Sequence, residues 1–189
     1  MIISTALKEW AVAVEALSQG ESCLLLRKGG IKESQGRFHA QASQVLLFPT
    51  FEHQKVELLK PDYQDRVQPV TSGWHPPSIT IKAWADITHI FLTYDAEKVA
   101  ALSAFHIWQP QLAEERLKWK AKQPLYVLLL RAYRLPEPMV IPWESTYGGC
   151  RSWIELADSV SVEARPERAA IREEAYQSQV AAIQKVLSA

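Results

Sequence analysis

Apolar residues along the chain fall into short runs of differing period, and the period sets the element expected. Over residues 5–19, Leu7, Trp10, Ala11, Val14 and Leu17 recur at helical spacing. This predicts an amphipathic helix with Thr5 as N-cap and Gly20 as stop. The runs "SCLLLRK" (22–28) and "QVLLFPT" (44–50) predict strands buried on both faces, the second ended by Pro49. Between them Gly29, Gly30 and Gly36 predict a loop or a bulged strand pair. "FEHQKVELLK" predicts a short helix, and "PDYQDRVQPVTSGWHPPS", rich in Pro, Asp, Gly and Ser, a long surface connection.

Further on, Ile79, Ile81, Ala83 and Ala85 share one parity in "SITIKAWADITHIFLTY", as in a long strand or two joined by a bend. "DAEKVAALSA" predicts a helix capped by Asp95, with a second helix around 109–120. "PLYVLLLRAYRL" carries the strongest strand signal. "MVIPW" and "CRSWIEL" predict short strands separated by the turn-like "ESTYGG". A final helix is expected from Pro166, repeating Ile171, Ala175, Val180, Ile183 and Leu187. The predicted order is helix, strands, helices, strands, helix. It lacks the regular alternation of a doubly wound sheet and fits an α+β domain with a curled antiparallel or mixed sheet.

Charge changes the picture only locally. The chain of 189 residues carries 21 basic and 21 acidic groups, so no net field draws it to nucleic acid or anionic membrane. Yet residues 116–134 hold Arg116, Lys118, Lys120, Lys122, Arg131 and Arg134 with no acid, and residues 27–55 hold Arg27, Lys28, Lys32, Arg37 and Lys55 against Glu33 and Glu52. A neutral total can therefore hide a basic face. Two distant cysteines, Cys23 and Cys150, suit a reducing compartment, with cytoplasm as the expected location. "MIISTALKEW" lacks the basic and long apolar regions of a signal peptide. The apolar runs fall well short of the roughly 20 residues a spanning helix needs, so no membrane insertion is expected.

No phosphate-loop, dinucleotide, zinc-protease, C-x-x-C or G-x-S-x-G motif occurs, and no Asp or Glu is followed two positions later by Lys. These absences lower nucleotide-driven, zinc-dependent and restriction-type nuclease chemistry, and no cofactor or metal is expected. Four segments remain as candidates. In "RKGG", Arg27 and Lys28 could engage phosphate while Gly29 and Gly30 expose backbone N–H groups, with Lys32 and Arg37 nearby; a solvated strand end accounts for them equally well. In "FPTFEHQ", His53 and Gln54 beside Glu52 suit acid–base work or hydrogen bonding to a base, against a capped helix start. In "RLKWKAK", Trp119 between Lys118 and Lys120 could stack a base beside phosphate, against a plain solvated helix face. "STYGGC" with Tyr147 and Arg151 reads first as a tight hairpin.

The pattern Trp10…Gly20-Glu-Ser-Cys-Leu-Leu-Leu-Arg27 resembles the opening of ASCH domains, in which a helix ends in Gly and a following strand carries a basic residue seven positions on. Glu21 and Leu25 stand where that family usually has Lys and a polar residue. The order of "ITIKAWADI", a helical insertion, "LYVLLLRAYRLPEPMVIP" and "GGCRSWIEL" is similar too. The resemblance implies a PUA-like curled β-barrel with flanking helices over residues 1–160, and a C-terminal helical extension over 161–189. It implies recognition of single-stranded RNA or a nucleotide in a basic cleft, with Arg27 at the family-like position. Through "LLRKGGI" and "LFPTFEHQ" the whole chain resembles a bacterial, often cyanobacterial, family of unknown function. Two alternatives stand beside RNA binding. One is a small hydrolase or nuclease acting on RNA or modified nucleosides through His53 and Glu52; the other is an assembly factor that docks a protein partner through exposed tryptophans or the C-terminal helix.

Overall fold

The computed structural model describes residues 1–28, 31–34, 37–40, 42–119, 121–149 and 151–188, with 31–34 and 37–39 as backbone alone. Its elements run β1 (Ile2–Trp10), α1 (Ala11–Gln19), β2 (Leu24–Arg27), β3 (Ile31–Ser34), β4 (Arg37–Ala40), β5 (Gln44–Thr50), α2 (Pro61–Gln64), β6 (Ser78–Thr93), α3 (Ala96–Ala101), α4 (Pro110–Lys118), β7 (Leu125–Pro142), β8 (Trp153–Ser161) and α5 (Glu173–Ser188). Six strands form one sheet in the order β2-β7-β6-β5-β1-β8, while β3 and β4 pair as a separate ribbon. Among the described residues only β1 and β5 pair in parallel; the other ladders are antiparallel. The α+β class with a mixed sheet and flanking helices therefore holds.

Barrel closure is not seen. Among the described residues the edge strands β2 and β8 share no ladder. A side chain joins the two margins instead: Arg27, ending β2, donates to the Lys8 carbonyl on β1 (3.2 Å) and to Ser152 Oγ just before β8 (2.7 Å). The sheet must curl far enough for that reach, and four-residue β2 stops before it can pair across the gap.

Side-chain alternation divides the interior into two cores. Leu7, Val45 and Leu47 face a core shared with α1, β2 and α5, where Leu17, Leu25, Tyr176 and Ile183 are buried. Ala6, Leu46 and Phe48, of opposite parity, face a second core with Ile81, Trp84, Tyr133 and Ile154. Strand burial on both faces is what gives "QVLLF" its unbroken apolar run.

Several expectations are corrected. Residues 5–10 are not helix but the end of β1, a strand between β5 and β8, and α1 begins only at Ala11. The apparent 3.6-residue spacing of Leu7, Trp10 and Val14 bridges a strand and a helix. The stop is as expected: Gly20 takes φ +80°, and a Cβ there would lie 2.3 Å from the Ala170 carbonyl oxygen, so glycine serves both conformation and close packing. Pro49 lies inside β5, because beyond Leu46 that strand pairs only with β1 and one side is free to accept proline. "FEHQKVELLK" holds only a 3-10 turn at Val56–Leu58. "MVIPW" is no separate strand: β7 runs on through Met139 to Pro142, and Pro136 and Pro138 fall where its register with β6 shifts from Ala83↔Arg134 to Ile81↔Met139. The extra residues bulge out of the ladder, so the prolines cost no pairing. Pro166 opens a 3-10 turn, and α5 starts later, at Glu173. No helix among the described residues is long and apolar enough to cross a membrane.

Candidate functional site

Parallel pairing places the C-terminal ends of β1 and β5 side by side, with Trp10 opposite Thr50, and Arg27 brings the end of β2 to the same place. Around these ends lies a cleft of about 330 Å³, whose far walls come from residues 51–53, 74–76, Trp143, 147–149, Arg151 and Ser152.

The charges on its floor are held rather than loose. Glu9, 8% exposed, pairs with Arg27 at 2.9 Å and accepts the Trp10 N–H through its other oxygen (3.0 Å). Arg116 stands close enough to feel both: burial pulls its guanidinium below the ordinary arginine value, Glu9 opposes that and Arg27 adds to it. Lys8, itself buried, donates to the carbonyls of Tyr147 and Gly149, so a cation fixes the loop in which Gly149 takes φ +74°. Arg151 differs, since its side chain is exposed and makes no ion pair among the described residues.

Aromatic rings line the opposite wall. His75 stacks on Trp143 with centroids 3.4 Å apart and planes 4° from parallel. Phe51 meets Trp74 edge-on at 6.0 Å, and Trp74 is 42% exposed. The two loops are tied by Glu52, whose carboxylate accepts the Gly73 N–H. Between them His53 is exposed and holds φ +59°, the one non-glycine residue in the left-handed region among those described. A β-turn position of this kind costs strain that neighbouring contacts must hold. The combination of exposed Arg151 with exposed ring faces can accommodate an anionic, planar ligand.

Of the predicted site residues, Arg27 and His53 line this cleft. Gln54 does not: its Oε1 accepts the Val12 N–H and its Nε2 donates to the Phe51 carbonyl, so it caps the start of α1. Lys28 points the other way, buried, with Nζ donating to the carbonyls of Leu117 and Gln123. It closes the C-terminal end of α4, where a cation is favoured, and burial pulls its ammonium below the usual lysine value. Lys118 and Trp119 sit at the end of α4 outside the cleft lining, Lys118 facing Glu114 one turn back at 3.4 Å. Lys32 and Arg37 lie on the β3–β4 ribbon, paired Lys32↔His39 and Ser34↔Arg37, their side chains outside the description. Gly29, Gly30 and Lys120 lie outside the described residues. The basic run from 116 to 134 does not form one surface: Arg116 donates to the Leu26 carbonyl, Arg131 pairs with Glu173 and Arg134 donates to the Ser18 carbonyl.

Glu52 and His53 are not hydrogen-bonded to each other, and Glu52 is spent on Gly73. Burial pushes the Cys23 thiol up to about 12, which removes it as a nucleophile at neutral pH. Sequence reasoning does not single out Lys8, Glu9 and Trp10 of this cleft, which it places within a helix, nor Trp74 and His75 in a connection with no periodic signal, nor Trp143 at the end of an expected short strand. Arg151 was noted only as the neighbour of a hairpin.

A family model described as a domain of unknown function, DUF1802, matches residues 6–182. No curated protein matches the chain. Among solved structures, the chain is similar to ASCH from Zymomonas mobilis, at 11% identity and a TM-score of 0.48, covering 94% of this chain and 92% of that one. Two single-substitution mutants of the same Zymomonas protein match at 11% and 12% identity, each with a TM-score of 0.48 and 94% of this chain covered, over 94% and 96% of their own chains. These are ASCH proteins, the domain that the Trp10-to-Arg27 pattern resembles. The chain belongs to the DUF1802 family.

Proposed function

We propose that this DUF1802 chain is a binding module for single-stranded RNA or a nucleotide, held in the cleft at the ends of β1, β2 and β5. One observation carries the reading: Arg27, Arg151 and Lys8 line the same concavity as the ring faces of Trp74, His75 and Trp143. Stacking suits any base, and the exposed guanidinium of Arg151 attracts phosphate where the chain as a whole, being neutral, does not. Arg27 and Lys8 orient the floor through Glu9 and the 147–149 carbonyls, while exposed Arg151 and His53 are the groups able to reach a ligand. The buried free thiol of Cys23 accords with a cytoplasmic setting.

Fluorescence anisotropy with a short labelled single-stranded RNA at low salt tests the reading. Saturable binding that weakens with added salt is expected, and Arg151→Ala lowers affinity about tenfold, the loss of one charge-assisted contact. Arg27→Ala is a poorer probe, because it also strips Glu9 of its partner. Absence of binding by the folded protein, or affinity unchanged in Arg151→Ala, rejects the proposal.

A further inference from the structure

We propose a second anion site, remote from the cleft, in which Arg134, Arg165 and Arg168 bind a phosphoryl group. The three arginines line one pocket of about 200 Å³ beside buried Trp84, and Glu163 is the one acid among its lining residues. They come from separate parts of the chain. Arg134 stands on β7, whereas Arg165 precedes and Arg168 ends the 3-10 turn Pro166–Arg168 after β8.

Backbone bonds fix these parts together. Tyr133 and Ala169 form an isolated bridge, Ala170 N–H donates to the Ala132 carbonyl at 2.9 Å, and Arg168 N–H to the Arg165 carbonyl at 3.0 Å. The guanidinium groups are held in a telling way. Arg134 is anchored through Nε to the Ser18 carbonyl (3.1 Å), and Arg165 through Nε to Glu163 (2.6 Å). Their terminal nitrogens, and all of the Arg168 guanidinium, make no hydrogen bond among the described residues. Paired N–H donors left open on the held guanidinium groups of Arg134 and Arg165, with Arg168 beside them, match the oxygens of a phosphoryl group, which accept two at a time.

The pocket is independent of the cleft. It includes Ser161, which pairs with Ile2 at the start of β1, while Lys8 to Trp10 of the cleft form the other end of that strand. About 25 Å of extended chain separates them, so a mononucleotide in the cleft does not reach the arginines.

Titration of the full chain with inorganic phosphate at low ionic strength, followed by ³¹P NMR, tests the site. Saturable binding is expected, weakened at least tenfold in the Arg165→Ala/Arg168→Ala double variant and unchanged in Lys118→Ala, an exposed cation outside both pockets. Should the double variant fail to fold, Arg168→Ala alone is expected to weaken binding severalfold. Displacement of phosphate by a 5′-phosphorylated oligoribonucleotide supports the site with a polynucleotide phosphate as its source; retention of phosphate supports it with a free phosphate or small ester. The proposal is overturned if the protein binds no phosphate saturably, if the arginine variants bind as the wild type does, or if Arg151→Ala is the substitution that abolishes binding.

Discussion

The cleft and the helical flank formed by α3 and α4 contain the same residue types, cations beside aromatics, put to different uses. In the cleft, Arg27 is only 12% exposed and faces an acid that is 8% exposed. On α4, Lys118 is 80% exposed and Trp119 is 57% exposed, with Glu114 one turn away. Local charge density is higher on α4, yet concavity and fixed geometry belong to the cleft. The difference comes from topology: the cleft draws residues from β1, β2, β5 and the loop before β8, more than a hundred positions apart, whereas the α4 cluster is a contiguous run. The cleft therefore depends on long-range pairing for its charges, whereas the α4 charges follow from one contiguous run.

The sharpest way to break this contrast is at Glu9. Glu9→Gln leaves Arg27 facing a neutral partner in a largely dry setting, and a loss of about 3 kcal/mol or more is expected in urea unfolding, the range for breaking a buried pair. The flank has its own weak point in His106, which is 4% exposed. Its Nδ1 accepts the Trp108 N–H at 3.2 Å, and burial, with Lys60 nearby, lowers its pKa to about 4. The unfolded chain takes up a proton near pH 6.5, so between pH 6.5 and 4 it binds more protons than the native state. Stability therefore falls as pH drops through that window, by up to about 3 kcal/mol, and levels off below it. His106→Asn flattens the dependence in urea melts at pH 7 and 5; an unchanged slope contradicts this.

Smaller effects separate the two surfaces in binding. Trp74→Ala removes an exposed ring from the cleft, and RNA affinity is expected to drop by about 1–3 kcal/mol if a base stacks there. Lys118→Ala is the control on the flank. Its pair with Glu114 is exposed, so stability should change by less than about 0.5 kcal/mol and RNA affinity by less than twofold. A Lys118 effect larger than that of Trp74 reverses the assignment.

The strands with unbroken or alternating apolar runs, β2, β5 and β6, were legible in the sequence, and so was α3 with its Asp95 cap, which accepts from the Glu97 and Lys98 N–H groups. β1 was not, because a half-strand running straight into a helix mimics one longer helix when only every third or fourth apolar position is read. The continuity of β7 was hidden by Pro136 and Pro138, whose tolerance depends on a bulge in β7 that shows only in its register with β6, about 50 residues earlier in the chain. Of the residues that line the cleft, Arg27 and His53 stood out in the sequence because each follows the end of an apolar run. Lys28 shared that signal but is turned inward by the carbonyls at the end of α4, a contact no local pattern encodes. Trp74, His75 and Trp143 become a wall only through ring contacts between segments distant in sequence, His75 stacked on Trp143 and Trp74 edge-on to Phe51.

Hydrogen exchange with and without a short single-stranded RNA tests the central claim, that the cleft rather than the basic helix is the binding surface. Protection is expected in residues 48–54, 72–76 and 147–152, with exchange in 110–119 unchanged. Protection confined to 110–119, with those three segments unaffected, contradicts the account.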